Sequence, residues 1–462
     1  MIRTRHHQPS LWTGVLAEEV DDLWEPWMRT ADRLLDDEQL IERVFEAQAR
    51  RWLNSRTRGR RQTPAEVVLR LLILKHVRNW SYAVLEREVR ANLVYRTFAR
   101  IGAEKVPDAK TLGRLGQVVG PEVIEDLHRR MVQIAVENKI VAGRRMRVDT
   151  TVVETNIHYP TDSSLLGDGA RVLTRVMKKV EQAAGGLVGK VRDRMRTVRR
   201  KVVAIAIAAR QKGAAGEEKR RRIYKGLLSV TRKIVNQAKR VIGEVDQLGR
   251  RKKKQLSGCR QQMATMVDRV NQVVKQTRAR VFDGNTKFEE KLVSVFEPQT
   301  EIIRKGKASK PTEFGKLVKV QEAENQIITH FEVYDERPSD SALLVDSVEM
   351  HQQQTGSLPR IVAADAGFYS QANEKRLEEM GVKNVSVPNR STRSEQRRQH
   401  QKKRSFKEGQ RWRTGCEGRI SVLKRRHGLN RCRYRGQNGM RRWVGMGVLA
   451  DNLINMGLCL AK

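Results

Sequence analysis

The front half of the stretch RRMRVDTTVVETNIHYP, residues 144–160, has the pattern of a β-strand. Met146, Val148 and residues 150–153 are apolar or β-branched, which favours extended backbone. Asp149 stands in the middle of this run. A carboxylate inside a core strand is costly unless another group pairs with it. The rest of the sequence must therefore supply a partner for Asp149.

The chain after this strand alternates between strand and helix patterns. FGKLVKVQEAENQIITHFEVY, residues 314–334, indicates a β-hairpin with a polar turn at 323–326, and KLVSVF, residues 291–296, indicates a further strand. LPRIVAADAGFYS, residues 358–370, contains a buried strand that ends at Asp365, and helix patterns flank it. The order is strand, helical excursion, hairpin, helix, strand, helix, strand, helix. It predicts an α/β fold: an RNase H-like mixed sheet interrupted by a long helical insertion.

The insertion has a pattern of its own between residues 164 and 280. Apolar residues recur there at helical spacing: Leu173, Val176, Val180, Leu187, Val198, Val202, Leu227, Val230, Ile234, Val241, Val270 and Val273. Proline is absent from residues 161–297, as expected for long helices. This pattern predicts long antiparallel helices, a coiled-coil hairpin with basic outer faces.

Short helices are predicted before the first strand, over residues 34–135. TPAE at 63–66 has the form of a capping box with proline at the first helical position, and Ser81 and Asp108 can begin further helices. Such helices are typical of a helix-turn-helix-like DNA-binding domain, and a helical bundle used for dimerisation is the alternative. The predicted domains are an all-helical N-terminal domain (1–135), a split RNase H-like domain (140–160 and 290–435), a basic helical insertion (161–289) and a C-terminal helix (436–462).

The charge of the chain indicates a polyanionic partner. Its 462 residues include 92 Lys and Arg against 53 Asp and Glu, a formal net charge of +39. Residues 171–260 hold 28 of these cations with 6 acids, and residues 390–435 hold 17 with 3 acids. Nucleic acid is the expected partner, and a solvated basic face without a partner is the alternative. A membrane surface is not favoured, because the sequence contains neither a run of 18 apolar residues nor an apolar signal core. Four scattered cysteines without a CxxC pair favour a reduced, cytoplasmic protein.

Two further carboxylates are placed to meet Asp149. Asp365 ends its strand, at the edge where open α/β sheets place their sites. Glu417 lies on a helix predicted over residues 411–427, within a strongly basic block. A salt bridge to Arg413, four residues earlier, is the alternative use of Glu417. Taken together, the three carboxylates can converge at one end of a sheet.

This convergence predicts a metal site on a DNA-binding surface. Three hard oxygen ligands suit one or two Mg²⁺ ions, with Mn²⁺ as a substitute. Arg413 and Lys424 share a helix face with Glu417 and are predicted to contact DNA phosphates. Other carboxylates compete for the metal. Glu154 is expected on the opposite strand face from Asp149, and for Asp162 and Asp340 helix capping is the favoured use.

The sequence resembles the DDE transposases of bacterial insertion sequences. RVDTTVVETNIHYPTDSSLL, VAADAGFYS and R-x3-E-x6-K look like their three catalytic blocks, and RKGKASKPTEFGKLVKV and the stretch around RPSDSALL are similar to this group as well. TPAEVVLRLLILKHVRNWSYAVLEREV resembles their N-terminal helical domain. The nearest resemblance is to members with a long insertion after the first aspartate, often left unclassified (ISNCY). The full signature is Y-x2-R-x3-E-x6-K, and Gln410 stands here where the tyrosine is expected.

The resemblance implies a transposase with Asp149, Asp365 and Glu417 as catalytic and metal-binding residues. It would bind the inverted-repeat ends of its element, cut a strand at each end with two Mg²⁺ ions, and join the freed 3′-OH to target DNA. Its partners would be double-stranded DNA at the element ends and at the target, and a second copy of itself in a homodimer or higher assembly. An RNase H-like nuclease or resolvase without strand transfer, and a non-enzymatic DNA-binding protein, are the alternatives.

Overall fold

The computed structural model describes residues 1–6, 11–51, 54–304 and 311–461. The stretch RKGKASKP, part of the resemblance noted above, falls largely at 305–310, outside the described residues. The chain divides into two compact units. The first comprises residues 1–156 and 303–462, and the second comprises residues 157–302.

The strands are β1 (Arg145–Glu154), β2 (Glu301–Ile303), β3 (Glu313–Glu322), β4 (Ile328–Val333), β5 (Ile361–Ala363) and β6 (Asn384–Ser386). The helices are α1 (Leu11–Glu19), α2 (Pro26–Leu34), α3 (Glu38–Ala49), α4 (Ala65–Val77), α5 (Tyr82–Ala91), α6 (Leu93–Phe98), α7 (Ala109–Val118), α8 (Pro121–Glu137), α9 (Asp162–Ala184), α10 (Met195–Ala208), α11 (Ala214–Asp246), α12 (Arg250–Val281), α13 (Leu344–Thr355), α14 (Gln371–Glu379), α15 (Glu395–Lys402), α16 (Arg404–Arg426) and α17 (Gly436–Leu460). Short 3-10 turns cover Asp340–Leu343 and Ala366–Phe368.

The sheet of the first unit is mixed, as the sequence predicts. Its order is β2-β3-β1-β5-β6, and β4 also pairs with β3. β1 runs antiparallel to β3 and parallel to β5, and β5 runs parallel to β6. The predicted hairpin is β3 and β4, with its turn at Glu324–Gln326. This arrangement is consistent with an RNase H-like domain.

Apolar clusters cover both faces of the sheet. Met146 and Val148 of β1 pack with helices α13 and α14 on one face, and Val153 packs with α16 and α17 on the other. Alternate residues of a strand point to opposite faces. The side chains at odd-numbered positions of β1, including Asp149, therefore point to the face that α16 covers.

The N-terminal helices surround α4, whose residues from Ala65 to His76 are all buried. Two predicted helix starts are confirmed: Ser81 caps α5 and Asp108 caps α7 through their side chains. The predicted capping box before α4 is wrong. The cap residue is Pro64, which has no side-chain cap bond, and Glu66 instead accepts a hydrogen bond from the backbone nitrogen of His6 at 3.0 Å.

The second unit is a bundle of four helices, α9 to α12, rather than a single hairpin. The two longest, α11 and α12, contain 33 and 32 residues, and α9 packs on both. The strand predicted at KLVSVF is wrong, because residues 291–296 have no regular secondary structure, and their Leu292 and Val295 pack into this helical core. The apolar inner faces of the four helices supply the contacts that a neighbouring strand would otherwise provide.

Helix α17 is the one helix among the described residues that is long and apolar enough to cross a membrane. Within its most apolar window, 72% of the residues are buried in the protein. Its Trp443, Val444 and Val448 belong to the core beneath α16. The apolar character of α17 is therefore that of a core helix.

Candidate active site

The strand register places Asp149 and Asp365 at the same level of the sheet. Arg147 pairs with Ala363 across the parallel strands β1 and β5, and each aspartate lies two residues beyond its member of that pair. Parallel neighbours in a sheet are about 4.8 Å apart. Two carboxylates are therefore brought together at the carboxyl end of the central strands.

Local hydrogen bonds orient both aspartates. Asp149 Oδ1 accepts a hydrogen bond from the backbone nitrogen of Thr150 at 2.7 Å, and Asp365 Oδ1 accepts one from Gly367 at 2.8 Å. Asp365 caps the 3-10 turn Ala366–Phe368 in this way. Because β5 ends at Ala363, Asp365 lies past the last paired residue, where its side chain is half-buried rather than enclosed.

Helix α16 carries Glu417 over this end of the sheet. Its buried Cys416, Ile420 and Leu423 pack against Val153 of β1 and the core beyond it. Burial raises the pKa of the Cys416 thiol well above its usual value, and the negative charges of Glu322 and Asp149 raise it further. Glu417 itself is exposed, and its Oε1 accepts a hydrogen bond from Arg413 Nη2 at 3.0 Å.

One cleft contains all three carboxylates. Its volume is about 1300 Å³, and its lining residues are Asn79, Asp149, Thr150, Thr151, Asn156, Asp365, Glu417, Ile420, Ser421, Lys424, Arg425, Gly428, Asn430, Arg431 and Arg433. Lys424 therefore joins Glu417 in the cleft, while Arg413 lies one turn earlier and reaches the site through its ion pair with Glu417. The cations and the carboxylates face the same space, as a phosphate substrate held by metal would require.

Several lining residues are not predicted from the sequence. Asn79 follows α4 in a left-handed conformation (φ 52°), and its backbone oxygen accepts a hydrogen bond from Arg433 Nη1 at 3.0 Å. Arg431 contacts Glu154 at 3.3 Å, beside the end of β1. Arginine in a basic loop and asparagine in a turn are common everywhere in this chain, so nothing in their local sequence distinguishes them.

The competing carboxylates have other uses. Glu154 is 8% exposed and pairs with Arg431. The capping role favoured for Asp162 and Asp340 is wrong. Thr161 caps α9, and Asp162 instead pairs with Arg280 at 2.6 Å. Asp340 Oδ1 accepts a hydrogen bond from the Thr150 hydroxyl at 3.1 Å.

The donor chemistry of the cleft fits Mg²⁺, but the side chains as placed do not yet form a closed ligand set. Carboxylate oxygens are the donors that this ion prefers. Among the described residues, no three Asp, Glu, His or Cys side chains stand close enough together to hold an ion. Glu417 is 59% exposed and paired with Arg413, so it would have to turn toward the two aspartates to share an ion with them.

Two family models match regions of this chain. The Transposase domain (DUF772) matches residues 25–117, and the Transposase DDE domain matches residues 288–453. The chain belongs to the DDE transposases of insertion sequences. No curated protein and no solved structure matches it.

The two family matches leave the middle of this transposase, residues 118–287, uncovered. The DDE domain match includes Asp365 and Glu417, and it begins well after Asp149. The position of Asp149 in the site therefore depends on the pairing of β1 with β5. Gln410, which replaces the tyrosine of the family signature, donates its amide proton to the backbone oxygens of Ala364 and Ser386.

Proposed function

We propose that this transposase cuts and joins DNA at the cleft, with Asp149, Asp365 and Glu417 holding two Mg²⁺ ions. The observation that carries the proposal is the convergence of these carboxylates, from two parallel strands and one helix, in a single cation-lined cleft. When bound, the ions supply Lewis-acid activation of the attacking and leaving oxygens of an in-line phosphoryl displacement. A water attacks in the cleavage step, and the freed 3′-OH attacks in the joining step.

The residues around the carboxylates hold the DNA. Lys424 lines the cleft on the same helix face as Glu417 and would contact a phosphate next to the scissile bond. Arg413 neutralises Glu417 while no metal is bound, and would turn to a phosphate when Glu417 turns to the aspartates. The hydroxyl-bearing and amide side chains of the cleft, Thr151, Asn156 and Asn430, add donors for the sugar-phosphate backbone.

The second unit would bind DNA phosphates outside the cleft. A groove of about 750 Å³ between α9 and α10 is lined by six cations: Arg171, Arg175, Lys178, Lys179, Arg196 and Arg199. Asp193 also lines it, and it is bound to Lys178 at 2.6 Å. Transposition acts on both ends of an element together, so the active assembly would contain at least two copies of the chain.

The test uses alanine variants of the three carboxylates. Asp149→Ala, Asp365→Ala and Glu417→Ala should each abolish cleavage of a repeat-end duplex in Mg²⁺, while binding of that duplex without metal stays near wild type. Glu408→Ala is the matched control, because Glu408 is an acid on the same helix that pairs with Arg404 and does not line the cleft. Near-wild-type cleavage by any of the three variants would remove that residue from the ligand set.

A further inference from the structure

A buried arginine joins the strand of Asp149 to the helix of Glu417. Arg147 is 6% exposed and lies directly opposite the fully buried Glu322 in the β1–β3 register. Its Nε donates to Glu322 Oε2 at 3.0 Å, and its Nη2 donates to the other carboxylate oxygen. The remaining nitrogen, Nη1, donates to the backbone oxygen of Trp412 in α16 at 2.5 Å, and the guanidinium lies 4.7 Å from the Trp412 ring.

The close approach of this arginine to the helix depends on a glycine. A Cβ atom at position 415 would collide with the Arg147 guanidinium. Burial raises the pKa of Glu322 and the charge of Arg147 opposes that rise, so the pair is a desolvated one in which each partner depends on the other.

A second contact joins the same helix to the strand of Asp365. The amide of Gln410 donates to the backbone oxygen of Ala364 at 3.2 Å, one residue before Asp365, and to that of Ser386 at the end of β6. A Cβ atom at position 409 would collide with the Ser386 side chain. Helix and strand ends are therefore as close here as glycine allows.

We propose that Arg147 and Gln410 are positioning residues that fix Glu417 relative to Asp149 and Asp365. This inference rests on the proposed function of the cleft. Each side chain bonds a backbone oxygen, and the two contacts lie on different strands. A helix held at two such points can neither slide along its axis nor rotate freely. A slide of one residue would displace Glu417 by about 1.5 Å, and a misplacement of about 1 Å can cost on the order of 100-fold in rate.

The chemistry of each side chain matches this role. Arg147 uses all of its fork: two nitrogens for the carboxylate and one for the carbonyl. Lysine can keep the charge pair with Glu322 but cannot reproduce that fork. Gln410 bonds two carbonyls from one planar amide, so it connects α16 to both β5 and β6. It does so at the position where the family signature has tyrosine.

The experiment compares Arg147→Lys and Gln410→Ala with Arg419→Lys. Arg419 is the matched control because it is 6% exposed, like Arg147, and lies on α16, like Gln410. It pairs with Asp451 of α17 instead of with the strand of either aspartate. Mn²⁺ binding to the DNA-free protein is measured by electron paramagnetic resonance, together with the thermal midpoint and single-turnover cleavage. We expect Mn²⁺ affinity to fall about 10-fold or more in Arg147→Lys and Gln410→Ala, and less than about twofold in Arg419→Lys. Cleavage should fall with it, while metal-free end binding is unchanged.

Two outcomes decide against the inference. Mn²⁺ affinity within about twofold of wild type in both variants, or a loss equal to that of Arg419→Lys, would reduce both contacts to general stabilisation of the fold. If Arg147→Lys does not fold, Gln410→Ala alone decides, because it removes no buried charge. Asp149→Ala and Asp365→Ala are run in parallel. If they too retain Mn²⁺ binding, the proposed function itself fails, whereas their loss of binding with unaffected positioning variants overturns only this inference.

Discussion

Lysine 75 should make the stability of the transposase depend on pH near neutrality. Lys75 of α4 is 2% exposed, and its ammonium nitrogen lies 4.9 to 5.0 Å from the ring centroids of Tyr82, Tyr434 and Trp443. Burial, and then the charges of two nearby arginines, Arg433 and Arg442, lower its pKa from 10.5 to about 7. These three rings, called the aromatic cage below, join the N-terminal helices to α17. A change in the charge of Lys75 therefore changes the free energy of unfolding of the first unit.

The sign of the effect follows from proton binding in the two states. Between pH 7 and 10.5 the unfolded chain keeps the Lys75 proton and the folded chain releases it, so stability rises with pH. The destabilisation is complete below pH 7 and absent above pH 10.5. For these two pKa values, the gain between pH 7 and pH 9 is about 2 kcal/mol. His76, 3.5 Å away, adds nothing in this window because burial holds its pKa well below 6.5.

Replacement of Lys75 by methionine removes the titration and keeps an unbranched chain among the rings. We compare the free energy of unfolding of Lys75→Met with that of the wild type at each pH. We expect the difference, variant minus wild type, to be about 2 kcal/mol larger at pH 7 than at pH 9. The assay is urea unfolding followed by tryptophan fluorescence at pH 6 to 9, since Trp443 belongs to the cage. The other groups whose charge shifts the pKa of Lys75, namely Arg433, Arg442 and the Cys432 thiol, are present in both proteins. Parallel stability–pH curves for the two proteins would refute the reasoning.

Three further results follow from specific contacts. Lys424→Ala should reduce the rate of single-turnover cleavage on the order of 100-fold with little loss of end binding. Arg426 does not line the cleft, and Arg426→Ala should reduce neither cleavage nor binding. Equal effects of the two changes would show that Lys424 is one more surface cation. The double variant Arg196→Ala with Arg199→Ala should make the slope of log affinity against log salt shallower by about 2. The control, Lys375→Ala with Arg376→Ala on α14, should leave the slope unchanged. An unchanged slope in the first variant would show that the groove does not contact DNA phosphates. Gly315→Ala should lower the free energy of unfolding by about 1–3 kcal/mol, because its Cβ would collide with the Val153 carbonyl, whereas Gly243→Ala, in open space on α11, should not; urea midpoints decide.

The elements that the sequence predicts correctly are those with local signals. The β3–β4 hairpin follows from alternating apolar residues around a polar turn, and the Ser81 and Asp108 caps follow from side chains that bond backbone nitrogens two or three residues on. Asp149, Asp365 and Glu417 are also singled out by local pattern, a strand end or a helix face, and their role as metal ligands stays a prediction. Their meeting in one cleft adds the register of β1 with β5, which no single stretch contains.

The predictions that are wrong concern segments whose partners are distant in sequence. KLVSVF has strand composition, but Leu292 bonds Gln276 and packs into the helical bundle, so its burial comes from helices. Glu66 is taken from its predicted capping box by the backbone of His6, sixty residues earlier. Tertiary contacts outweigh local propensity in both cases.

The contacts proposed to position α16 illustrate the same limit at the active site. Arg147 and Glu322 are 175 residues apart, with the whole second unit between them. Nothing in the local sequence of either residue indicates the other as its partner. Only the antiparallel register makes them directly opposite, and only Gly415 makes room for the guanidinium against α16. A carboxylate in a core strand, such as Asp149, is visible as an anomaly, whereas Arg147 two residues earlier is equally anomalous and is explained by its partners alone. A charged residue predicted inside a core strand should therefore be examined for both uses: as a ligand of the site, or as the connection that holds a ligand in place.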